Sequence, residues 1–333
     1  MMRWLKIVSF AIAGLVALVV VAGLAYEQIS RSLARSAYPA HGQPVSIGDH
    51  SLNVRLKGDG GPLVVFESGL DQGGSMVWGK VQDRVALSTS TLSYDRAGIM
   101  WSERGGNPKT DEAMADELYT LLKRSGNKGP YILVGHSLAG YILRSFAGKH
   151  PSEVAGIVFV DASHPDQWKR MPPELDTPVP PSWIIQIASN VGAIRLFVPT
   201  GYPGISAQDS LNLIVGAYAP VSMPATLEEF REVRSLADEA GRVGSFGDIP
   251  LIVITGTAKT RLGEYPSKEA GKAFLAMWGE LQEDLLKLST ESKHVLAEKS
   301  GHFIMLDQPD IVSDAISELL ARLRARSDSS TTK

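Results

Sequence analysis

The 333-residue chain contains no cysteine. That excludes disulfide staples, thiolate nucleophiles and zinc–thiolate sites, and it leaves the redox compartment open, because a cysteine-free chain tolerates either. No excess of one charge sign is present either: 33 lysines and arginines stand against 36 aspartates and glutamates, for a formal net charge of -3. Without a basic stripe to neutralise phosphates, a nucleic-acid partner has no electrostatic support. The seven histidines are scattered, with no HExxH or similar pair at helical ligand spacing, so no metal site is expected. No internal repeat or low-complexity tract interrupts the chain, and its length slightly exceeds what one compact domain needs. One large domain with an insertion is the expectation.

One long hydrophobic run is present. MMRWLK is followed by an uncharged apolar stretch from Ile7 to Tyr26, about twenty residues, enough as a helix to cross a hydrocarbon core of roughly 30 Å. It is longer than the apolar region of about 7 to 15 residues in a signal peptide. Residues 1–26 are therefore expected to be an uncleaved signal anchor. A cleaved signal peptide ending near Gly23-Leu24-Ala25 is the alternative, and a merely buried helix the third reading. Either of the first two exports the remainder. Arg3 and Lys6 ahead of the run and Glu27 behind it favour a cytoplasmic N-terminus, although Arg31 and Arg35 reduce the asymmetry. The expected localisation is thus membrane-anchored with the bulk of the chain extracytoplasmic, or secreted after cleavage.

Residues 27 to 60 read as a polar connection carrying two short antiparallel strands around Asp49-His50. From Leu63 the pattern alternates: strand LVVF, a glycine loop, helix MVWGKVQDRVA, strand TLSYD, helix DEAMADELYTLLKRSG, strand YILV, helix LAGYILRSFAGKH, strand GIVFVD. Apolar strands alternating with amphipathic helices predict an α/β fold, a mostly parallel sheet covered on both faces. The alternation fails from Ala162 to Gly247, where Pro172, Pro173, Pro178, Pro180 and Pro181 crowd together and ATLEEFREVRSLADEAG is helical. This segment is expected to be a helical cap. Alternation returns with IPLIVITG, a helix around KEAGKAFLAMWGELQEDLLKL, strand HVLAE, the loop KSGHF and a last helix. The expected division is a core of 27–161 and 248–326, a cap of 162–247 and a disordered tail of 327–333.

The stretch YILVGHSLAG, Tyr131 to Gly140, breaks from strand to helix at a serine. A serine at such a turn is lifted to the carboxyl edge of a parallel sheet, where ligands bind. Gly135, Ala139 and Gly140 are small enough for a crowded turn, and the helix from Leu138 aims its first N–H groups and positive dipole end at the serine. The motif resembles the nucleophile elbow of the α/β-hydrolase superfamily, with Ala139 in place of the last glycine of G-x-S-x-G. The resemblance extends from about residue 45 to residue 325.

The resemblance implies a serine hydrolase without a cofactor. Ser137 would be the nucleophile and His302, in KSGHFIMLDQP, the base. His136 and His294 read as structural. In most of the family the acid follows the strand that here reads LIVIT, yet GTAKTRLGEYP offers no carboxylate before Glu264. Asp161, at the end of GIVFVD, occupies the place used by a subset of the family and is the expected acid, with Glu264 the alternative. The oxyanion hole would be the backbone N–H groups of Leu138 and of Leu70, in the loop FESGLDQGG. Asp95 and Arg96, in YDRAGIMWSE, resemble a bracing ion pair of the family. Trp183, Ile184, Ile185, Ile187, Leu196, Phe197 and Tyr202 would bury the cap against the core, with an apolar acyl pocket the alternative reading. The expected partners are a small acyl substrate bearing an apolar group and, through the N-terminal helix, a membrane. The expected reaction is cleavage of an ester or related acyl bond. Amidase, peptidase, thioesterase or acyltransferase activity would use the same residues, and a binding protein that has lost the chemistry is the reading from a different class.

Overall fold

The computed structural model describes residues 1–176 and 178–331. Its centre is an eight-stranded sheet of β1 (Gln43–Ser46), β2 (Ser51–Lys57), β3 (Val64–Glu67), β4 (Thr91–Tyr94), β5 (Tyr131–His136), β6 (Val154–Val160), β7 (Leu251–Gly256) and β8 (Ser292–Ala297). The spatial order is β1-β2-β4-β3-β5-β6-β7-β8. β2 runs antiparallel to β1 and β4, and from β4 to β8 all neighbours are parallel.

Because successive strand side chains point to opposite faces, the uninterrupted apolar runs divide between two cores. Val65, Leu133, Phe159 and Val253 pack with Leu118 and Leu121 of α3 (Asp111–Arg124) and Phe146 of α4 (Ala139–Lys149). Val64, Phe66, Ile132, Val134, Val158 and Ile254 face Val81 and Val85 of α2 (Gly79–Val85) and Val312, Ile316 and Leu319 of the last helix. The boundaries of α3 follow from its sequence. Thr110 accepts the N–H of Ala113 as N-cap, Asp111 and Glu112 occupy the first turn, and Gly126 takes the left-handed φ of +77° just beyond the end. The helix expected over MVWGKVQDRVA divides instead into a 3₁₀ turn, Gly74–Trp78, and α2.

In chain order the remaining helices are α1 (Met2–Ala37), then α5 (Gln167–Arg170), α6 (Ser182–Asn190), α7 (Ala193–Phe197) and α8 (Ser210–Ala240) between β6 and β7, then α9 (Lys268–Leu285), α10 (Ile304–Asp307) and α11 (Pro309–Thr331). The segment containing α5 to α8 forms a cap. α8 begins at Ser210, well before the helix expected from Ala225, and runs through Pro220 and Pro224. Proline at position 224 removes the donor for the carbonyl of Pro220, and the Ser189 hydroxyl of α6 supplies a replacement hydrogen bond to that carbonyl. A side chain from a neighbouring helix thus makes the proline tolerable, and the sequence of α8 alone does not reveal it.

Two expectations about the ends change. α1 is long and apolar enough to cross a membrane, but it continues past Tyr26 to Ala37, where a polar connection was expected. Neither glycine nor proline stands between Leu24 and Ala37 to end it. Its last turns dock on the cap: Glu27 is fully buried and pairs with Arg31 and with Arg195 of α7, each at 2.7 Å. Ala34 joins Ile99, Met100, Ile214 and Tyr218 in a small apolar cluster. At the other end, α11 continues to Thr331, because no glycine or proline follows Leu323 to stop it. The tail expected to be disordered is thus helical in backbone over 327–331, and residues 332 and 333 lie outside the described residues.

Candidate active site

The chain leaves β3 toward β4 on one side, while β5 lies on the other. Divergent connections of this kind open a crevice at the carboxyl ends of the strands. Ser137 follows β5 there, in the left-handed region at φ +51°. Its carbonyl accepts the N–H of Gly140 at 2.9 Å and of Ser163 at 2.8 Å, which closes the turn into α4. The small neighbours are required sterically. A Cβ on Gly135 would stand 2.6 Å from a Leu143 methyl, and one on Gly140 would stand 2.6 Å from the Ser163 carbonyl oxygen. The Cβ of Ala139 lies 3.0 Å from the place a Cβ on Gly135 would occupy, so alanine is accommodated because its neighbour is glycine.

The loop after β3 crosses directly over this turn: a Cβ on Gly69 would meet the Cβ of Ser137 at 3.0 Å. Buried Arg96 fixes the loop by donating to the carbonyls of Ser68 at 2.6 Å and Gly69 at 2.7 Å. In a trans peptide the N–H points opposite to the preceding carbonyl, so the Leu70 N–H is directed away from Arg96. Arg96 also pairs with Glu67 and with Glu229 of α8, both at 2.7 Å. The expected Asp95–Arg96 pair is therefore not formed. Just past the end of β4, Asp95 instead accepts the Ser75 N–H at 2.7 Å and the Asn53 side-chain amide at 2.9 Å. Burial pushes its carboxyl up to about 6.

At the end of β6, Asp161 is fully buried with φ +44°. One carboxylate oxygen accepts the Gly256 N–H and the Trp278 indole N–H, each at 3.0 Å. The other lies 2.7 Å from His302 Nδ1 and 3.1 Å from Arg261 Nη2. Burial acts to raise its pKa, but the Arg261 charge and the His302 hydrogen bond outweigh it and hold the carboxyl below its ordinary value. Glu264 does not join this contact. It is partly exposed, its nearest cation is Arg261 Nε at 3.8 Å, and burial raises its pKa.

His136 braces the second histidine. The His302 carbonyl can only accept, so His136 Nε2, 3.0 Å away, donates to it. Burial then keeps His136 neutral, its pKa well below the usual range. His294 lies apart on β8, 2.8 Å from the Thr255 hydroxyl.

A cavity of about 880 Å³ contains both Ser137 and His302 in its wall. Its aromatic lining comes from Tyr265, Phe274, Trp278 and Phe303, and the cap contributes Gln167, Pro203 and Gly204. None of the seven cap residues weighed as core packing or as an acyl pocket lines it. Trp183, Ile184, Ile187, Leu196 and Phe197 are exposed, Ile185 is buried within the cap, and the Tyr202 hydroxyl donates to Asp71 at 2.8 Å. The cap helices present the first five of these side chains outward. Two neighbours of Asp161, Arg261 and Trp278, escape sequence reasoning. Their one signal is the arginine in the loop after β7, where the resemblance calls for an acid.

Comparisons with known proteins agree with this architecture. A model of the alpha/beta hydrolase fold family matches residues 62–181. The chain is 26% identical over 286 residues to a 2-(acetamidomethylene)succinate hydrolase of Mesorhizobium japonicum, covering 83% of this chain and 94% of that protein. It is 36% identical over 138 residues to a protein named "Probable transporter efuK" of Hormonema carpetanum, 38% of this chain, and spans only 19% of that protein's length. Among solved structures, an esterase from Thermogutta terrifontis superposes with a TM-score of 0.55 at 18% identity, covering 84% of this chain and 98% of the esterase. By sheet order and elbow the chain has the α/β-hydrolase fold, and its residues 62–181 are similar to the family of that name.

Proposed function

We propose that the protein is a serine hydrolase that cleaves an ester or closely related acyl bond through an acyl-enzyme. The observation that carries this reading is the 2.7 Å contact of His302 Nδ1 with a buried, ionised Asp161, in a cavity whose wall also holds Ser137. With Nδ1–H committed to the carboxylate, His302 Nε2 is the basic nitrogen. Ser137 Oγ attacks the acyl carbon while His302 takes its proton. The negative charge on the tetrahedral oxygen is held by the N–H groups of Leu70 and Leu138. Collapse expels the alcohol, which takes the proton from His302, and water then repeats the sequence to release the acid and free the serine. Asp161 fixes the imidazole tautomer and stabilises the imidazolium, and Arg261 keeps Asp161 charged. The aromatic lining favours an apolar acyl or alkyl group. We further propose that α1 is a membrane anchor with the catalytic domain outside the cytoplasm.

Hydrolysis of p-nitrophenyl esters of graded acyl length by the full chain in detergent tests the reading. Ser137→Ala is expected to abolish turnover, while Glu264→Gln leaves it near wild type. Turnover by the Ser137→Ala variant equal to that of wild type would sink the proposal. The hydrolase of Mesorhizobium japonicum gives amide cleavage a place as the second reading, and an anilide series run beside the esters separates the two.

A further inference from the structure

Every residue of α1 before Gly23 is exposed, and packing on the cap begins at Gly23, where an added Cβ would touch the Val191 carbonyl at 2.7 Å. One turn later Tyr26 lies against Gly192 and Glu27 pairs with Arg195. The free part of the apolar run, Ile7 to Ala22, spans only about 24 Å at roughly 1.5 Å per residue. A hydrocarbon layer of about 30 Å needs some four residues more, and of those, Gly23 and Tyr26 already lie against the cap. If α1 crosses a bilayer, the bilayer surface therefore reaches the level of Val191 and Gly192.

Apolar side chains are uncovered along the helix that ends at this level and in the one that follows it. Trp183, Ile187 and Val191 fall at i, i+4 spacing along one face of α6, with Trp183 65% and Ile187 54% exposed. Leu196 and Phe197, directly after the arginine that pairs with Glu27, are 62% and 78% exposed. Contiguous exposed apolar groups on a soluble surface mark an interaction site, and tryptophan favours the headgroup zone. The first carboxylate after the apolar run, Glu27, is buried between two arginines, so no uncompensated charge enters that depth.

We infer that the outer face of α6 and α7, from Trp183 to Phe197, is a lipid-bilayer contact surface that seats the cap on the membrane beside the anchor. This rests on the anchor reading of α1. The cysteine-free chain permits a clean test. Single nitroxide labels are placed through Trp183→Cys, Phe197→Cys, Leu15→Cys and Leu87→Cys in the full chain, reconstituted in phosphatidylcholine–phosphatidylglycerol liposomes. Labels at 183 and 197 are expected to relax faster with lipid-soluble oxygen than with a water-soluble nickel chelate, as at 15, and the label at 87 to show the reverse. Labels at 183 and 197 that behave like 87 while 15 is in lipid would overturn the inference and leave the anchor standing. Shielding of 183 and 197 from both reagents would overturn it in favour of a protein partner, such as a second copy. A label at 15 in water would overturn the anchor reading and this inference together.

Discussion

Outside α1, the large apolar side chains exposed on the sheet-and-helix core are Leu56, Leu87 and Leu296, whereas the smaller cap exposes Trp183, Ile184, Ile187, Leu196, Phe197 and Leu213. Polar groups are distributed in the opposite sense. The core buries Glu67, Asp95, Asp111, Asp161 and Arg261, and the cap adds buried Glu229 to them across its inner face. The core is thus a closed structure with titratable groups held inside by specific partners. The cap is an open one, with few partners for its outer side.

Changes at Asp161 and its partners should therefore remove turnover, and changes on the outer side of the cap should leave it. The largest effect is expected for Asp161→Asn, which keeps the shape but loses the charge and favours the wrong imidazole tautomer. A fall in kcat of roughly 10³- to 10⁴-fold is expected in the ester assay, against little change for Glu264→Gln. Arg261→Gln comes next. Removing one partner of a buried pair costs about 3–5 kcal/mol, read as a lower denaturation midpoint. Without the arginine the Asp161 pKa rises, so the acid limb of the pH–rate profile should move to higher pH.

Asp111 sharpens the comparison through pH. Burial pushes its carboxyl up to about 7 despite the Ser145 hydroxyl that hydrogen-bonds to it. The folded state then binds a proton that the unfolded chain, with a pKa of about 3.9, has released. Stability from this group is full below the unfolded value and lost as pH rises to about 7. Asp111→Asn should remove that loss, gaining in stability relative to wild type between pH 4 and 8 in urea titrations. The smallest effect belongs to the cap: Ser189→Ala deprives the Pro220 carbonyl of its partner and should cost about 1 kcal/mol, with kcat on soluble esters unchanged. A loss of turnover in that variant would break the division between core and cap.

Much of the core was legible because burial on two faces writes strands as unbroken apolar runs and their helices as single stripes. LVVF, YILV, GIVFV and LIVIT all became central strands, and the serine stood at the turn expected for it. The cap was less legible. A helix lying over a site buries one narrow stripe, so Trp183 and Phe197 read as pocket lining or as packing against the core, and both are exposed. The path of α8 through Pro220 depends on Ser189, thirty-one residues away in sequence. Asp161 was visible as a carboxylate at a strand end, but its partner Arg261 was not, because an arginine in a loop carries no sign of the burial that makes it a counter-ion. The reach of α1 beyond Tyr26 shows in the sequence as Gly23, Glu27, Ser30 and Ala34, spaced along one helical face.

That docked length of α1 also fixes the protein's freedom of motion. A flexible tether of ten residues would let the active site wander through roughly 17 Å, and its encounters with lipid would depend on diffusion within that volume. The packed helix from Gly23 to Ala34 acts instead as a rigid strut. Anchored in a bilayer, the catalytic domain would neither tumble nor bob, and its cavity would be held at one height and tilt. Search for a membrane-borne substrate would then become two-dimensional, its rate set by lateral diffusion and its effective concentration by geometry alone.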